Sequence, residues 1–322
     1  MNELDMFSVI NKKLSRTEFL GNDCAKIYDY VSSLPLIVTH DTLVEDVHFS
    51  LTTTNPFELA MKAVSVNVSD LRAAFAYPKY LSVSLSLPKD VSKEFLENFY
   101  EGIEAACDKY SCCLSGGDLT RSDKIVISIC AIGQQIRRLE TGRQYAQTDD
   151  LVLLFGNAGF SDLGFRKLQE NPNLESVFTR AHLAPEIDLS IIEAFSELPL
   201  SSICAMDTSD GLADAIYKIS AASGHQLHID ASKLPVNEDF REACEHFNVD
   251  VKDVLLFGAE DYSLVVTLNQ EYARLLNIPK FHIIGKVGDK SDNPVSTVTF
   301  GDEIVCVDEA LIRAKTFKHF DD

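Results

Sequence analysis

The sequence predicts a two-unit chain of mixed α+β / α/β class, and three observations carry that expectation. Leu81–Leu87 alternates apolar and polar residues with period two, the mark of a strand with one face in a core. Helical stretches opened by capping residues separate this strand from others like it. A polar run rich in Arg, Gln and Thr, from Gln134 to Asp150, then divides the chain. The length of 322 residues suits two domains, read here as 1–140 and 141–322.

In chain order, residues 1–33 begin helical and loosen toward a turn at Gly21–Ala25. Leu36–Thr39 is a buried strand by its β-branched run, ending on Asp41. Asn55, Pro56 and Glu58 form a helix start: Asn caps, Pro fills the first helical position and Glu can close a capping box. That helix should run to about Phe75 and stop before Pro78. After the alternating strand, a helix from Ser92 to Tyr110 places Phe95, Phe99, Ile103 and Ala106 on one face. A strand ending in Ser115-Gly116-Gly117-Asp118 and another from Lys124 to Ile132 complete the first unit. The second unit opens with Leu151–Phe155 and the turn Gly156–Gly159. Asp207-Thr208-Ser209-Asp210-Gly211-Leu212 then starts a helix reaching Ser223, and strands follow at Gln226–Asp230, Tyr262–Leu268 and Phe281–Lys286.

Composition narrows the function. With 46% apolar residues the chain can build a sizeable core, yet no apolar run approaches the ~18 residues of a membrane span. The N-terminal stretch lacks the layout of a secretion signal, so a soluble cytoplasmic protein with no membrane partner is expected. A formal charge of −20 argues against a general nucleic-acid binder, which needs a basic face. It leaves room for phosphate ligands held through divalent cations. None of the eight cysteines forms a C-x-x-C pair, so buried reduced thiols are expected rather than a zinc site.

Six aspartates, Asp23, Asp41, Asp70, Asp118, Asp207 and Asp210, stand at strand ends, beside glycine, at a helix start or within an apolar helix. Asp70 is the hardest to place on a surface, because Val66, Val68, Leu71 and Ala74 flank it. A buried carboxylate needs a partner, and several together suit Mg²⁺ bridging phosphates. Two loops favour an anion: the glycines at 116–117 bare their main-chain N–H groups, and the 207–212 stretch opens a helix. No P-loop or dinucleotide fingerprint occurs. His48 stays open between a structural and a ligand role, Arg143 between a phosphate clamp and a solvated charge, and Glu260 between a ligand and its own turn.

Taken in order, T-H-D-T-L-V-E-D-V-H-F (39–49), V-N-V-S-D-L (66–71), G-G-D-L-T-R (116–121), D-T-S-D-G-L (207–212) and G-A-E-D-Y (258–262) resemble the thiamine-monophosphate kinase family. That family belongs to the superfamily of aminoimidazole ribonucleotide synthetase. The resemblance implies a two-domain aminoimidazole ribonucleotide synthetase-like fold, whose N-terminal domain pairs with its copy into the β-barrel of a homodimer, with ATP near the interface. It implies transfer of the ATP γ-phosphoryl group to thiamine monophosphate, giving thiamine diphosphate with several Mg²⁺ ions. By position, Asp23, Asp41, Asp70, Asp118, Asp207 and Asp210 match metal ligands, with Thr39 and His40 as further metal contacts. Gly117, Asp118, Arg143 and Ser209 match ATP contacts, and His48, Glu260 and Phe317 match the thiamine-phosphate side. Catalysis would rest on Asp41, Asp70, Asp118, Asp207 and Arg143. The chain departs from the family pattern at Asn22, His40, Asp46, Arg72, Phe75 and Ala259. These departures keep a second reading in view, a nucleotide- or thiamine-phosphate-binding protein without turnover; a sister ATP-dependent synthetase of the same superfamily is the other alternative.

Overall fold

The computed structural model describes residues 25–27, 34–278 and 280–316. The expected first helix, Asp23 and Phe317 lie outside them. Among the described residues two sheets form, one of five strands and one of eight.

The first sheet has the order β1-β2-β5-β3-β4. Its elements follow as β1 (Ala25–Ile27), β2 (Leu36–Val44), helix α1 (Pro56–Ala73), β3 (Ala76–Leu87), α2 (Lys93–Tyr110), β4 (Cys113–Arg121) and β5 (Val126–Gln135). Asn55 caps α1 as expected: its Oδ1 accepts the Glu58 N–H at 2.9 Å and its Nδ2 donates to Glu58 Oε2 at 2.8 Å. Both helices lie on one face of the sheet, where Leu59, Val64 and Leu71 of α1 and Phe95, Phe99 and Ile103 of α2 are buried against Leu81, Val83 and Ile127. Close approach of the helices depends on Gly102, where a Cβ would sit 2.4 Å from the Phe57 carbonyl oxygen. Gly102→Ala should therefore cost about 1–3 kcal/mol by overpacking. A urea unfolding midpoint equal to the parent's would refute this close-packing account.

Three boundaries differ from expectation. β2 continues through Asp41 to Val44, because Thr42 and Val44 pair with Ser128 and Val126 of β5. α1 ends at Ala73 in a turn where Phe75 takes φ 53°, and β3 begins at once, with Pro78 inside it. The register shifts between Pro78 and Tyr80, so the proline sits at a bulge, where a missing N–H is tolerated. The glycine pair does not end a strand; β4 runs on to Arg121, parallel to β3, with Gly117 opposite Val83. β4 is the sheet edge and is exposed throughout. Among the described residues the sheet is open, with β1 and β4 as edges rather than a closed barrel.

The second sheet has the order β13-β12-β9-β11-β7-β10-β8-β6 and is mostly antiparallel. Its elements are β6 (Glu140–Thr141), β7 (Leu151–Phe155), α3 (Phe160–Glu170), α4 (Val177–Leu183), α5 (Ser190–Ser196), β8 (Ser202–Asp207), α6 (Leu212–Ser223), β9 (His225–Asp230), α7 (Glu238–His246), α8 (Val251–Phe257), β10 (Leu264–Leu268), α9 (Gln270–Ala273), β11 (His282–Lys290), β12 (Ser296–Phe300), β13 (Glu303–Val307) and α10 (Glu309–Lys315). The β12–β13 hairpin and α10 are absent from the sequence reading. β10 begins at Leu264 rather than Tyr262, whose φ of 48° is incompatible with a strand.

The two units interlock. Ala73 and Phe75, at the end of α1, enter the core formed by Phe155, Phe195 and Ala205, and the Phe75 and Phe195 rings are 5.1 Å apart. In return, Tyr262 and Ile187 enter the core of the first unit. No helix is long and apolar enough to cross a membrane among the described residues. Of the described cysteines, 107, 112, 204 and 244 are buried as expected, whereas Cys113 and Cys306 are exposed.

Candidate active site

The chemistry-bearing side chains gather where α1 and β2 meet the loops that follow β8 and precede β10. Strand alternation puts Ile37, Thr39 and Leu43 of β2 on the buried face, with Asp41 in phase with them. The Thr39 hydroxyl donates to Asp70 Oδ2 at 2.5 Å, fixing that carboxylate on α1. One position earlier on α1, the Ser69 hydroxyl donates to Asp207 Oδ2 at 2.7 Å. Asp207 ends β8 and is 1% exposed, so this contact ties the first unit to the second.

The 207–212 loop is held against the 258–263 loop. Thr208 N–H donates to the Ser263 carbonyl, Ser263 N–H returns to Thr208 Oγ1, and Glu260 N–H reaches the Ser209 carbonyl at 2.7 Å. Glu260 and Tyr262 both take left-handed backbone, with φ 63° and 48°. Such strain persists only where surrounding contacts impose it. Tyr262 lies where the acids converge: burial, then Glu260, Asp41, Asp207 and Asp210, push its phenol well above the ordinary tyrosine range. Beneath it, the buried Arg72 guanidinium donates from Nη2 to the Tyr262 carbonyl at 2.6 Å. Burial lowers Arg72 to about 10, partly countered by Asp207 and Asp188, so it stays charged at neutral pH.

A second cluster lies on the His48 side. Lys62 of α1, 1% exposed, donates to Glu260 Oε2 at 3.0 Å and reaches the His48 carbonyl at 3.5 Å. His48 accepts the Val44 N–H on Nδ1 at 3.1 Å. His182 Nδ1 lies 3.0 Å from Ser161 Oγ and 3.4 Å from Glu260 Oε2. Burial and the nearby Lys62 ammonium pull His182 down to about 3, so the ring is neutral. For Glu260, burial acts to raise the pKa, but the Lys62 ammonium leads the neighbours that outweigh it and leave the carboxylate below its usual range.

The structure thus brings Thr39, Asp41, Asp70, Asp207 and Glu260 together, with His48 and Ser209 beside them. Asp210 is adjacent but exposed, paired to Lys218 at 3.0 Å, and Lys218 also meets Asp214 at 2.7 Å. Arg143 opens a 3-10 turn, Arg143–Tyr145, and its charge bears on Asp214. Other candidates stand apart. The His40 ring turns to the opposite face of β2, with Nε2 2.8 Å from Ser128 Oγ. Gly117 and Asp118 lie on the exposed β4 edge, where Asp118 Oδ1 accepts the Leu119 N–H. The turn Gly156–Gly159 is closed by the protein itself, since Asp261 accepts the N–H groups of Gly159 at 2.5 Å and Ser161 at 2.8 Å. Burial raises that carboxyl to about 7.

Lys62, Ser69, Arg72, His182 and Tyr262 join the site without belonging to the candidates that the sequence offers. Lys62 had a signal, a lone charge within the apolar run Leu59–Val64. The others become legible only through contacts between distant segments.

The donor set suits a hard divalent ion, since it consists of carboxylate and hydroxyl oxygens. Among the described residues no three acids, imidazoles or thiols stand close enough to hold an ion by themselves.

Residues 21–135 match the family described as AIR synthase related protein, N-terminal domain. The chain is 32% identical to the thiamine-monophosphate kinase of Aquifex aeolicus (strain VF5), covering 99% of both chains. It is 30% identical to that of Bacillus subtilis (strain 168), covering 98% of this chain and 100% of the relative. A solved structure described as AaThiL complexed with AMPPCP and TMP superposes with a TM-score of 0.83 at 29% identity, covering 99% of this chain and 97% of that one.

Proposed function

The chain belongs to the thiamine-monophosphate kinase family, and on that premise we propose that it transfers the γ-phosphoryl group of ATP to thiamine monophosphate at the junction of its two sheets. The products are ADP and thiamine diphosphate. The observation that carries this reading is the convergence of carboxylates from both units, Asp41 of the first with Asp207, Asp210 and Glu260 of the second, around the buried Tyr262, while Ser69 ties α1 to Asp207 and Thr39 holds the adjacent Asp70. The similar structure holding an ATP analogue and TMP supports the same pair of substrates.

The acceptor is a phosphate oxygen, anionic at neutral pH, so no strong base is needed and the barrier is repulsion between two anions. Bound Mg²⁺ would neutralise charge on the phosphates; Asp41, Asp70, Asp207 and Asp210 would each supply oxygens to one of several ions, a role the resemblance also gives Asp23. Thr39 and Ser69 hydroxyls fix which oxygens of Asp70 and Asp207 face inward. The N-terminus of α6 opens directly after Ser209 and Asp210 and favours negative charge there. Arg143 supplies further positive charge, while His48 and Glu260 stand on the acceptor side, where Phe317 is also assigned. Gly117 and Asp118 reach ATP only if β4 joins a second copy. The exposed edge strand, with Leu119 61% exposed, supports such a homodimeric barrel. Accordingly we assign residues 1–140 to nucleotide, metal and dimer contacts and residues 141–322 to the remaining site wall. ATP use and the free thiols among the described residues fit a cytoplasmic location.

Purified protein incubated with ATP, Mg²⁺ and thiamine monophosphate should form thiamine diphosphate, measured by ion-exchange chromatography, and should stop on addition of EDTA. Binding of both substrates without product would instead establish a non-catalytic binding protein.

A further inference from the structure

We infer that Lys62 is a positioning residue for the acceptor substrate: a buried ammonium on α1 that holds the Glu260 carboxylate and the main chain at His48 in one arrangement across the junction. This rests on the reading of His48 and Glu260 as acceptor-side groups.

A lysine is a costly choice at this position. The side chain is 1% exposed between Leu59 and Val64, where an apolar residue would complete the helix face without removing a charge from water. What the ammonium gains is specific. It meets Glu260 Oε2 at 3.0 Å and the His48 carbonyl at 3.5 Å, so one atom joins two segments of different units. Glu260 is already pinned at its main chain by the Ser209 carbonyl and held at φ 63°. Lys62 and His182 both approach Oε2, while the side chain keeps 23% exposure, so Oε1 is the oxygen offered to a ligand. A neutral His182 leaves Lys62 as the charge that balances Glu260.

Lys62→Met should raise KM for thiamine monophosphate by about tenfold or more, the scale of one lost charge-assisted hydrogen bond, with KM for ATP unchanged. A pH signature separates this role from simple packing. The charged groups facing His182 are Lys62 from α1 and Glu260 from the 258–263 loop; Ser161 and Phe165 of α3 add a hydroxyl and a ring. Removing the ammonium lets His182 take a proton more readily and face Glu260 as a cation. The KM defect should therefore shrink as the pH is lowered, and this recovery should vanish in Lys62→Met/His182→Gln. A defect that is equal for both substrates and independent of pH would overturn the proposal. Glu260→Gln separates the two levels of inference. If it raises KM for thiamine monophosphate and Lys62→Met does not, the role of Lys62 is refuted while the acceptor-side reading stands. If neither variant raises it, the acceptor-side reading itself fails. Should Lys62→Met not fold, Lys62→Met/Glu260→Gln buries no lone charge and is compared with Glu260→Gln. Equal KM values support action through Glu260, and a further tenfold rise contradicts it.

Discussion

Asp70→Asn should purify as a folded protein whose turnover with ATP, Mg²⁺ and thiamine monophosphate falls on the order of a thousandfold. The fold should survive because asparagine keeps the shape, and its Oδ1 can still accept the Thr39 hydroxyl that now meets Asp70 Oδ2. The surrounding helix does not need the charge: Val66, Val68 and Leu71 are buried in the core of the first unit without it. What asparagine cannot supply is a negative oxygen for a hard cation. Circular dichroism and a melting temperature within about 3 °C of the parent's would establish the first half, by the usual scaling for a chain of this size. Steady-state rates would establish the second. Parent-like turnover in a folded Asp70→Asn protein would remove Asp70 from the site.

Arg72→Met should be the most destabilising single change near the site, by about 3–5 kcal/mol, as expected when one member of a buried charged cluster is removed. The guanidinium is 3% exposed, donates to the Tyr262 carbonyl at 2.6 Å and faces Asp207 and Asp188. Methionine fills much of the volume, so the loss would come from the hydrogen bond and the missing positive neighbour of Asp207 rather than from a cavity. The melting temperature should drop by about 10 °C. A shift of less than about 1 kcal/mol in the unfolding midpoint would mean that the cluster relaxes around the change and that Arg72 does not hold the 258–263 loop.

Where local chemistry decides structure, the sequence was readable. Asn55-Pro56-Phe57-Glu58 carries its own helix start, and the alternation in Leu81–Leu87 fixes which side chains enter the core. Leu151–Phe155 stands in the structure with the limits expected of it. Pro78 misled because a bulge absorbs a proline that local rules place outside a strand. The β12–β13 hairpin was missed because half-exposed strands joined at Gly301 carry little apolar pattern. At the site, the carboxylates were visible one by one, and the resemblance joined them. The groups that fix them were not, since Ser69 and Asp207 are 138 positions apart and Lys62 and Glu260 are 198 apart. His40, the departure beside Asp41, turns toward Ser128 on the other face, so its ring does not crowd the acids.

On the proposed function, phosphates and metal meet at the acid-lined junction around Tyr262. Anomalous scattering from crystals grown with Mn²⁺, a non-hydrolysable ATP analogue and thiamine monophosphate tests it most directly. Metal peaks are expected bonded to carboxylate oxygens of Asp41, Asp70 or Asp207 and shared with phosphate oxygens. Metal peaks found only elsewhere, with the phosphates seated away from these three residues, would contradict it.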